Sequence, residues 1–374
     1  MPLTEGDRGR GMTKFGWLNF KKLKSYCYYY ETINKYGDGM RALVTGGFGF
    51  IGGYICRELV NNGWKVRVLD IQNKADRPEF NLNGLEYVIG DIRDYNAVAN
   101  ALEEVDLIIH LAAKHRFFGI SEEEFYSVNV IGTDVILKAA SQKVIKSLIF
   151  YSSVAVYGDQ NLPTTEETVP LPNSPYGVTK LEAEKLIRAW VSEDDERRAI
   201  IIRPTVVFGP RNRGNVFRLI RQIEKGLFLP VGSGDNIKSV AYVENLVDAT
   251  MFTYERIAKG VTVYNYADEP HKPFRQIVGE IYRLIKKPCP KNPLPLKPVL
   301  IALKPVDLAF RLFNKDFVVT TAIKKMNKAT HHQAIKVRQT GFKPDFTIEE
   351  GLSKMVDWYI RNKKSRNSHD EVHE

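Results

Sequence analysis

Met40-Arg-Ala-Leu-Val-Thr-Gly-Gly-Phe-Gly-Phe-Ile-Gly-Gly-Tyr-Ile55 decides how the rest of the chain is read. Ala42-Leu43-Val44 is a short apolar run suited to a buried parallel strand. Gly46, Gly49 and Gly52 follow at G-x-x-G-x-x-G spacing, with Phe50 and Ile51 between the last two. The order predicts strand, tight turn, then helix. Gly46 lets the chain turn sharply, Gly49 leaves room for a pyrophosphate against the backbone, and Gly52 lets the helix pack closely on the strand. Free N–H groups and the dipole at the helix N-terminus favour an anion there. Trp64-Lys-Val-Arg-Val-Leu-Asp70 follows as a second strand ending in an acid. A carboxylate at that point accepts hydrogen bonds from the adenosine ribose hydroxyls and repels a 2′-phosphate, which favours NAD over NADP. Lys74, just beyond, pulls the other way.

Outward from this stretch, 40–160 alternates strand and helix. Strands are expected at Ala42–Thr45, Lys65–Asp70, Leu85–Ile89, Leu107–Ala112 and Ser147–Ser152, with helices at Ile51–Asn61, Tyr95–Leu102 and Asn129–Gln142. Strands spaced by helices mean βαβ units and a parallel sheet. Asp91 and Ile92 follow the third strand, where a short acid can meet the adenine amino group. Leu111-Ala112-Ala113 follows the fourth, where small side chains let backbone approach the cofactor. His110 reads as core and His115 as rim, neither with partners at metal-ligand spacing. His331-His332 reads as surface loop, so no metal site is expected.

The chemistry lies further on. Phe150-Tyr-Ser-Ser-Val-Ala-Val-Tyr-Gly158 closes the fifth strand, and Ser174-Pro-Tyr-Gly-Val-Thr-Lys180 opens a helical stretch through Leu181–Ser192. Tyr176 and Lys180 are four apart and share a helix face. A phenol is a poor base at neutral pH. A nearby ammonium and a positive nicotinamide ring favour phenolate and pull its pKa down. Lys180 can also hold the nicotinamide ribose, and Ser153 can orient a substrate oxygen.

The 374 residues carry a net charge of +10, unevenly placed: +3 over 1–39, −4 over 40–270 and +11 over 271–374. The cofactor-binding part is therefore not basic. The basic C-terminal third reads either as a solvated surface with some charge for an anionic substrate, or as peripheral contact with anionic lipid through 298–328. Pro298-Val-Leu-Ile-Ala-Leu-Lys-Pro-Val-Asp-Leu-Ala-Phe-Arg-Leu-Phe313 there mixes aliphatics with Lys304 and Arg311. No recognised module for nucleic acid accompanies the charge. No apolar run approaches a membrane span of roughly 18 residues. No secretory signal is visible, and the three cysteines, Cys27, Cys56 and Cys289, fit a reducing compartment, the cytoplasm. Met40 stands where chains of this architecture commonly begin, so 1–39 reads as an extension, either disordered or not native, or else as an interaction arm.

Taken together, these residues resemble the extended short-chain dehydrogenase/reductase superfamily, in its nucleotide-sugar epimerase/dehydratase branch. The resemblance rests on Thr45-Gly-Gly-Phe-Gly-Phe-Ile-Gly52, Asp70, Asp91-Ile92, Leu111-Ala-Ala113, Asn129-Val-Ile-Gly-Thr133, Ser152-Ser153 with Tyr157-Gly158, Tyr176-x-x-x-Lys180 and Arg203-Pro-Thr-Val-Val-Phe-Gly-Pro210. It runs from Met40 to Asn362. It implies that Asn129, Ser152 and Pro204 join the cofactor site. It implies that Lys114, Ser153, Arg211, Asn215 and Lys238 contact the substrate, Lys238 in the Val231–Val243 segment that holds a diphosphate in the family. Dehydratases of the branch carry an acid pair after the active-site hydroxyl residue. This chain has Val154-Ala155, as epimerases have a neutral pair. It departs from the family in carrying Lys238 where Arg is common, and Val206-Val207 where an asparagine is expected. Lys336–Leu352 resembles the closing signature, with Thr347 near the start of a capped helix.

The expectation is therefore an α/β protein, a Rossmann-type doubly wound parallel sheet with a smaller C-terminal substrate-binding domain. The NAD domain would comprise 40–210 and 240–268. The substrate domain would comprise 211–239 and 269–362, followed by a polar tail frayed after Asn362 (363–374). The implied activity is NAD-dependent epimerisation of a nucleotide-activated sugar at C4, of a UDP-hexose or UDP-N-acetylhexosamine, with a 4-keto intermediate. Rivals are a 4-ketoreductase of a nucleotide deoxysugar, a 3β-hydroxysteroid-type dehydrogenase and an NAD-binding scaffold. The family also implies a homodimer, through helices around Leu102–Leu111 and Tyr176–Trp190.

Overall fold

The computed structural model describes residues 39–73, 84–115, 119–160, 163–307 and 319–370. Expectations that fall on 1–38 (the extension, with Cys27), Lys74, Arg311, Phe313 or 371–374 lie outside the described residues.

The strands run β1 (Arg41–Thr45), β2 (Lys65–Asp70), β3 (Leu85–Ile89), β4 (Leu107–His110), β5 (Ser147–Tyr151) and β6 (Arg198–Pro204). Short β7 (Val206–Phe208), β8 (Ile237–Lys238) and β9 (Val240–Tyr242) leave that sheet, β10 (Gly260–Tyr266) returns to it, and β11 (Lys272–Pro273) pairs with β8. The seven-stranded sheet has the order β3-β2-β1-β4-β5-β6-β10, with every pair parallel. β1 has β2 on one side and β4 on the other, so the strand order reverses there. A crevice opens at such a point, at the carboxyl ends of the strands.

The helices are α1 (Phe50–Asn61), α2 (Tyr95–Ala101), α3 (Glu122–Tyr126), α4 (Gly132–Gln142), α5 (Pro175–Ser192), α6 (Asn215–Glu224), α7 (Val243–Tyr254), α8 (Phe274–Ile285), α9 (Leu296–Ala302), α10 (Val319–Asn327), α11 (Ile335–Gln339) and α12 (Ile348–Asp370). Alternate strand residues supply two cores, because successive side chains point to opposite faces. Ala42 and Val44 pack with Ile55 and Leu59 of α1, Leu246 of α7 and Met355 of α12. Leu43, Ile108 and Leu148 pack with Val98 of α2, Ile136 of α4 and Ile187 of α5. β4 and β5 are buried along their whole length, as strands covered on both faces must be, whereas edge strand β3 exposes Tyr87 and Ile89.

Several boundaries differ from the sequence reading. β4 stops at His110 and β5 at Tyr151, since the residues beyond turn out of the sheet toward the crevice. The helix expected from Asn129 starts as a π-turn over Ser127–Ile131 before α4. Leu102 is buried just after α2, and Leu107–His110 is an interior strand, so most of the span 102–111 is turn and strand rather than helix. His332 is a core residue, 7% exposed, hydrogen-bonded to Thr164 Oγ1 at 2.6 Å and stacked on Tyr157. Its burial pushes its pKa down to about 4. Thr347 does cap α12: Glu350 N–H donates to Thr347 Oγ1 and Thr347 N–H donates to Glu350 Oε2, a reciprocal capping box. The α12 backbone continues to Asp370 rather than fraying after Asn362.

One buried ion pair ties these layers together. Arg203 of β6 donates from Nε to Glu184 Oε1 at 2.9 Å and from a terminal nitrogen to Oε2 at 2.5 Å. Both residues are nearly fully buried, at 3% and 1% exposed. Such a pair adds little net stability compared with apolar packing, but removing one partner strands a charge. Arg203→Met is expected to lower unfolding free energy by about 3–5 kcal/mol. Glu184→Gln combined with Arg203→Met is expected to recover at least part of that loss, measured by urea titration.

Candidate active site

The turn after β1 is as tight as its glycines permit. Gly46 has φ +71°, and a Cβ there would lie 2.8 Å from the Ala112 nitrogen. A Cβ on Gly52 would lie 2.3 Å from the Gly46 carbonyl oxygen. Side chains are therefore excluded where β1 hands over to α1, and the backbone amides at the start of α1 stay open to an anion. Gly49 is the N-cap of α1, followed by Phe50 and Ile51. At the end of β2, Asp70 is 7% exposed; its Oδ2 accepts from Phe48 N–H and its Oδ1 from Gln72 N–H, both at 3.0 Å. That fixes an anionic carboxylate beside the glycine turn, where it suits ribose hydroxyls and opposes a further phosphate.

Most of the other expected cofactor residues stand at or just after the carboxyl ends of β3, β4, β5 and β6. Asp91 is held by Arg93 at 2.5 Å, and the guanidinium keeps its carboxyl below the ordinary range. Ile92 beside it is buried. Asn129, 2% exposed, clamps the loop after β4: its Oδ1 accepts from Lys114 N–H at 2.8 Å and its Nδ2 donates to Lys114 O at 3.1 Å. The clamp shapes Leu111-Ala112-Ala113, which leave the sheet immediately before it. His110, fully buried, bonds Thr45 Oγ1 at 2.7 Å and Thr133 Oγ1 at 3.0 Å, and burial lowers its pKa to about 3. It is the core residue expected, and His115 is exposed as expected. Among the described residues no group of three or more His, Cys, Asp or Glu could hold a metal.

Ser152 and Ser153 lie directly after β5. Ser153 caps a short 3₁₀ turn, Val154–Tyr157, its Oγ accepting from Ala155 N–H at 3.1 Å. Ser174 caps α5, its Oγ accepting from Gly177 N–H, which places Tyr176 in the first turn and Lys180 one turn on. Ser153 and Tyr176 share a side-chain hydrogen bond. Lys180, 2% exposed, donates from Nζ to Tyr151 O at 2.8 Å and sits over the Phe150 ring. The three expected catalytic residues thus converge where β5 ends against α5. Burial pushes Tyr176 up to about 12, partly offset by Ser153, and burial pushes Lys180 down to about 7. Desolvation disfavours both charged forms here.

Substrate-side residues are more scattered. Lys114 ion-pairs with Glu124 at 2.7 Å. Arg211 holds a left-handed backbone, φ +73°, after Pro210, whose carbonyl accepts from Tyr54. Asn215 is exposed in the first turn of α6. Lys238 is committed to the backbone: its Nζ donates to the carbonyls of Lys325 and Lys328. Burial also lowers its pKa to about 8. Pro204 ends β6 and is buried.

The sequence reading assigned no role to Glu184. Its Oε1 accepts from Ser152 Oγ at 2.6 Å as well as from Arg203, and Arg203 also donates to Tyr157 Oη at 2.9 Å. Tyr157 in turn donates to Asn265 Oδ1 at 2.7 Å. The available signal was Glu184 standing four residues after Lys180, one more helical turn along the same face.

A dinucleotide fold joined to a Ser-Tyr-Lys set defines a class, and the comparisons agree. The sequence model of the NAD dependent epimerase/dehydratase family matches residues 42–267. The N-acetyl-alpha-D-glucosaminyl-diphospho-ditrans,octacis-undecaprenol 4-epimerase of Escherichia coli O157:H7 is 35% identical over 325 residues, 86% of this chain and 96% of that protein. The UDP-glucose 4-epimerase of Vibrio cholerae is 26% identical over 328 residues, covering 85% and 95%. A structure of MoeE5 in complex with UDP-glucuronic acid and NAD superposes with TM-score 0.69 at 26% identity, covering 86% of this chain and 99% of that one. The chain belongs to the NAD-dependent epimerase/dehydratase family. It is an enzyme of the extended short-chain dehydrogenase type, with NAD as cofactor.

Lys180 gives a pH test with a definite sign. Its pKa falls on folding, so between the ordinary lysine value and about 7 the unfolded chain holds more protons at this position. Its contribution to stability therefore rises with pH across that window, with a limiting slope of about 1.4 kcal/mol per pH unit. In cofactor-free protein, Lys180→Met is expected to flatten that rise, read by denaturant titration at stepped pH.

Proposed function

We propose that this enzyme epimerises C4 of a hexose or N-acetylhexosamine activated through a diphosphate, with a UDP-sugar as the first candidate. The convergence of Ser153, Tyr176 and Lys180 carries the reading. Gly46, Gly49, Gly52, Asp70 and Lys180 would hold NAD, with Asp91, Ile92, Leu111–Ala113, Asn129, Ser152 and Pro204 around it. NAD, when bound, would supply the hydride chemistry: hydride would leave C4 and come back to the opposite face of the turned 4-keto sugar, which inverts that carbon. Tyr176 Oη takes the proton of the C4 hydroxyl and gives it back. Ser153, already bonded to Tyr176, orients the sugar oxygen. Lys180 in its ammonium form stabilises phenolate. Val154 and Ala155 follow Ser153 with no proton donor, which supports epimerisation over water loss.

Residues 211–239 and 269–362 form the substrate side in this reading, with Arg211 and Asn215 toward the nucleotide and Lys114 near the sugar. Lys238 fits the diphosphate role only if its ammonium leaves the two carbonyls that now hold it. The protein works as a homodimer in the cytoplasm. Exposed Ile131 and Val178, beside α4 and on α5, support those elements as the pairing surface in place of 102–111. A second reading places the sugar on a polyprenyl diphosphate, with peripheral membrane contact through 298–328. The 35%-identical relative, which acts on such a lipid, favours it.

Denaturing the purified protein and assaying released dinucleotide is the first test. Tightly held NAD near one per chain, followed by isomerisation of a UDP-N-acetylhexosamine without added coenzyme, is the expected outcome. An empty site filled from solution by NAD(P)H would favour the ketoreductase or hydroxysteroid alternatives. Tyr176→Phe is expected to lose about 10²–10⁴-fold in kcat with the bound NAD retained. Full turnover by that variant would remove the mechanism.

A further inference from the structure

α9 and α10 are unusual in this fold: neither buries a single residue. Helices this short are marginal alone in water and normally persist by packing an apolar face. Met326 of α10 packs partly buried against the core, and polar contacts supply further ties. Leu294 N–H donates to Pro230 O and Gly232 N–H to Leu294 O, before α9. Thr320 donates to Asp307, and Asn236 Nδ2 donates to the carbonyls of Met326 and Lys328, holding the two ends of α10. Between them lies an open concavity of about 500 Å³ lined by Ser233, Asn236, Leu294, Leu296 and Asn327.

The outer surface combines two properties. Ile301 is 64% exposed, with Leu294 at 43% and Val306 at 38% beside it in sequence. Lys297, Ile301 and Lys304 stand at i, i+4 and i+7, one face of a helical stretch, and all three are exposed. The described residues of 286–307 and 319–328 hold eight Lys against one Asp, Asp307. Elsewhere surface lysines such as Lys138, Lys143, Lys185, Lys259 and Lys354 each have a carboxylate within 4 Å. Among the described residues no carboxylate pairs with Lys297, Lys304 or Lys324. Exposed aliphatics flanked by uncompensated lysines match a surface whose interior is apolar and whose face is anionic. A second copy of the chain fits poorly, because a two-fold contact sets the same lysines against themselves.

We propose that the face built from α9, the helical segment Lys304–Asp307 and α10 docks on an anionic phospholipid bilayer. Ile301, Leu294 and Val306 enter the headgroup region, and Lys297, Lys304 and Lys324 lie on lipid phosphates. The concavity under this face is partly walled by Ser233 and Asn236, in the segment that also carries Lys238. Docking therefore brings that segment to the membrane surface. The purpose of the docking, delivery of a diphosphate-linked sugar carried on a lipid, rests on the second reading above; the binding itself does not.

The test uses the full chain with phosphatidylcholine vesicles, with and without phosphatidylglycerol, at low and high salt. Wild type is expected to co-sediment with phosphatidylglycerol vesicles at low salt and to be released by high salt, while added inorganic phosphate at matched ionic strength does not release it. Lys297→Glu with Lys304→Glu is expected to lower vesicle partition by about tenfold or more. Ile301→Ser is expected to lower it in a way that salt does not mimic. Wild type remaining in the supernatant with anionic vesicles, or the variants binding as well as wild type, overturns the proposal. Release by inorganic phosphate alone also overturns it, since it marks a phosphate site and not a lipid surface. Bound NAD and turnover of a soluble sugar substrate are measured on the same preparations. Lost docking with turnover intact removes only this surface, whereas Tyr176→Phe that docks without turnover keeps the two questions apart.

Discussion

The buried pair of Glu184 and Arg203 is the interaction on which the working end of this enzyme depends. It lies where α5 crosses the ends of β5 and β6, and each charge is desolvated enough to require the other. Its geometry is two-pronged, so it fixes both the rotation of α5 and its position along the sheet. α5 carries Tyr176 and Lys180, and Ser152 donates to the same carboxylate. Ser153, the serine proposed for catalysis, is the next residue. One salt bridge therefore sets the distance between the strand-end hydroxyls and the helix-borne phenol.

The network does not stop there. Arg203 reaches Tyr157, Tyr157 reaches Asn265 on β10, and Asn265 Nδ2 donates to Gln333 O. Glu166 accepts from the backbone of both Asn265 and Lys336. A second junction does the same on the other side: Asp268 accepts from Tyr242 N–H and Asn245, and Asn245 pairs reciprocally with the Phe346 backbone. The C-terminal segments are thus joined to the dinucleotide-binding sheet by directional polar contacts as well as by apolar packing. Such joints keep a substrate-facing surface in register with a hydride site.

Electrostatics at the centre show why the cofactor matters to residues that never react with it. Burial acts on Tyr176 and Lys180 in opposite directions, and both are shifted toward neutrality. The lowered phenol pKa expected from the sequence rests on a positive nicotinamide ring beside the ammonium. A positive ring and ribose hydroxyls placed against this pair change the balance by favouring charge separation.

Much was legible in the primary structure. The glycine spacing, the acid at Asp70, the Tyr176–Lys180 interval and the alternation of short apolar runs determined a parallel dinucleotide-binding sheet and marked the trio proposed for catalysis, because strand, turn and helix-face periodicities are local properties. The Thr347–Glu350 capping box was local for the same reason. What only the tertiary structure decided are contacts between residues far apart in the chain. These are Glu184 against Arg203, His332 inside the core on Tyr157, Asn129 clamping the Lys114 backbone, and Lys238 turned onto the carbonyls of α10 and its end. It also decided that Leu107–His110 is interior strand and that neither α9 nor α10 has a fully buried residue. Burial and partner choice are set by which surfaces meet in three dimensions, and sequence spacing carries that information only within a turn or two of helix.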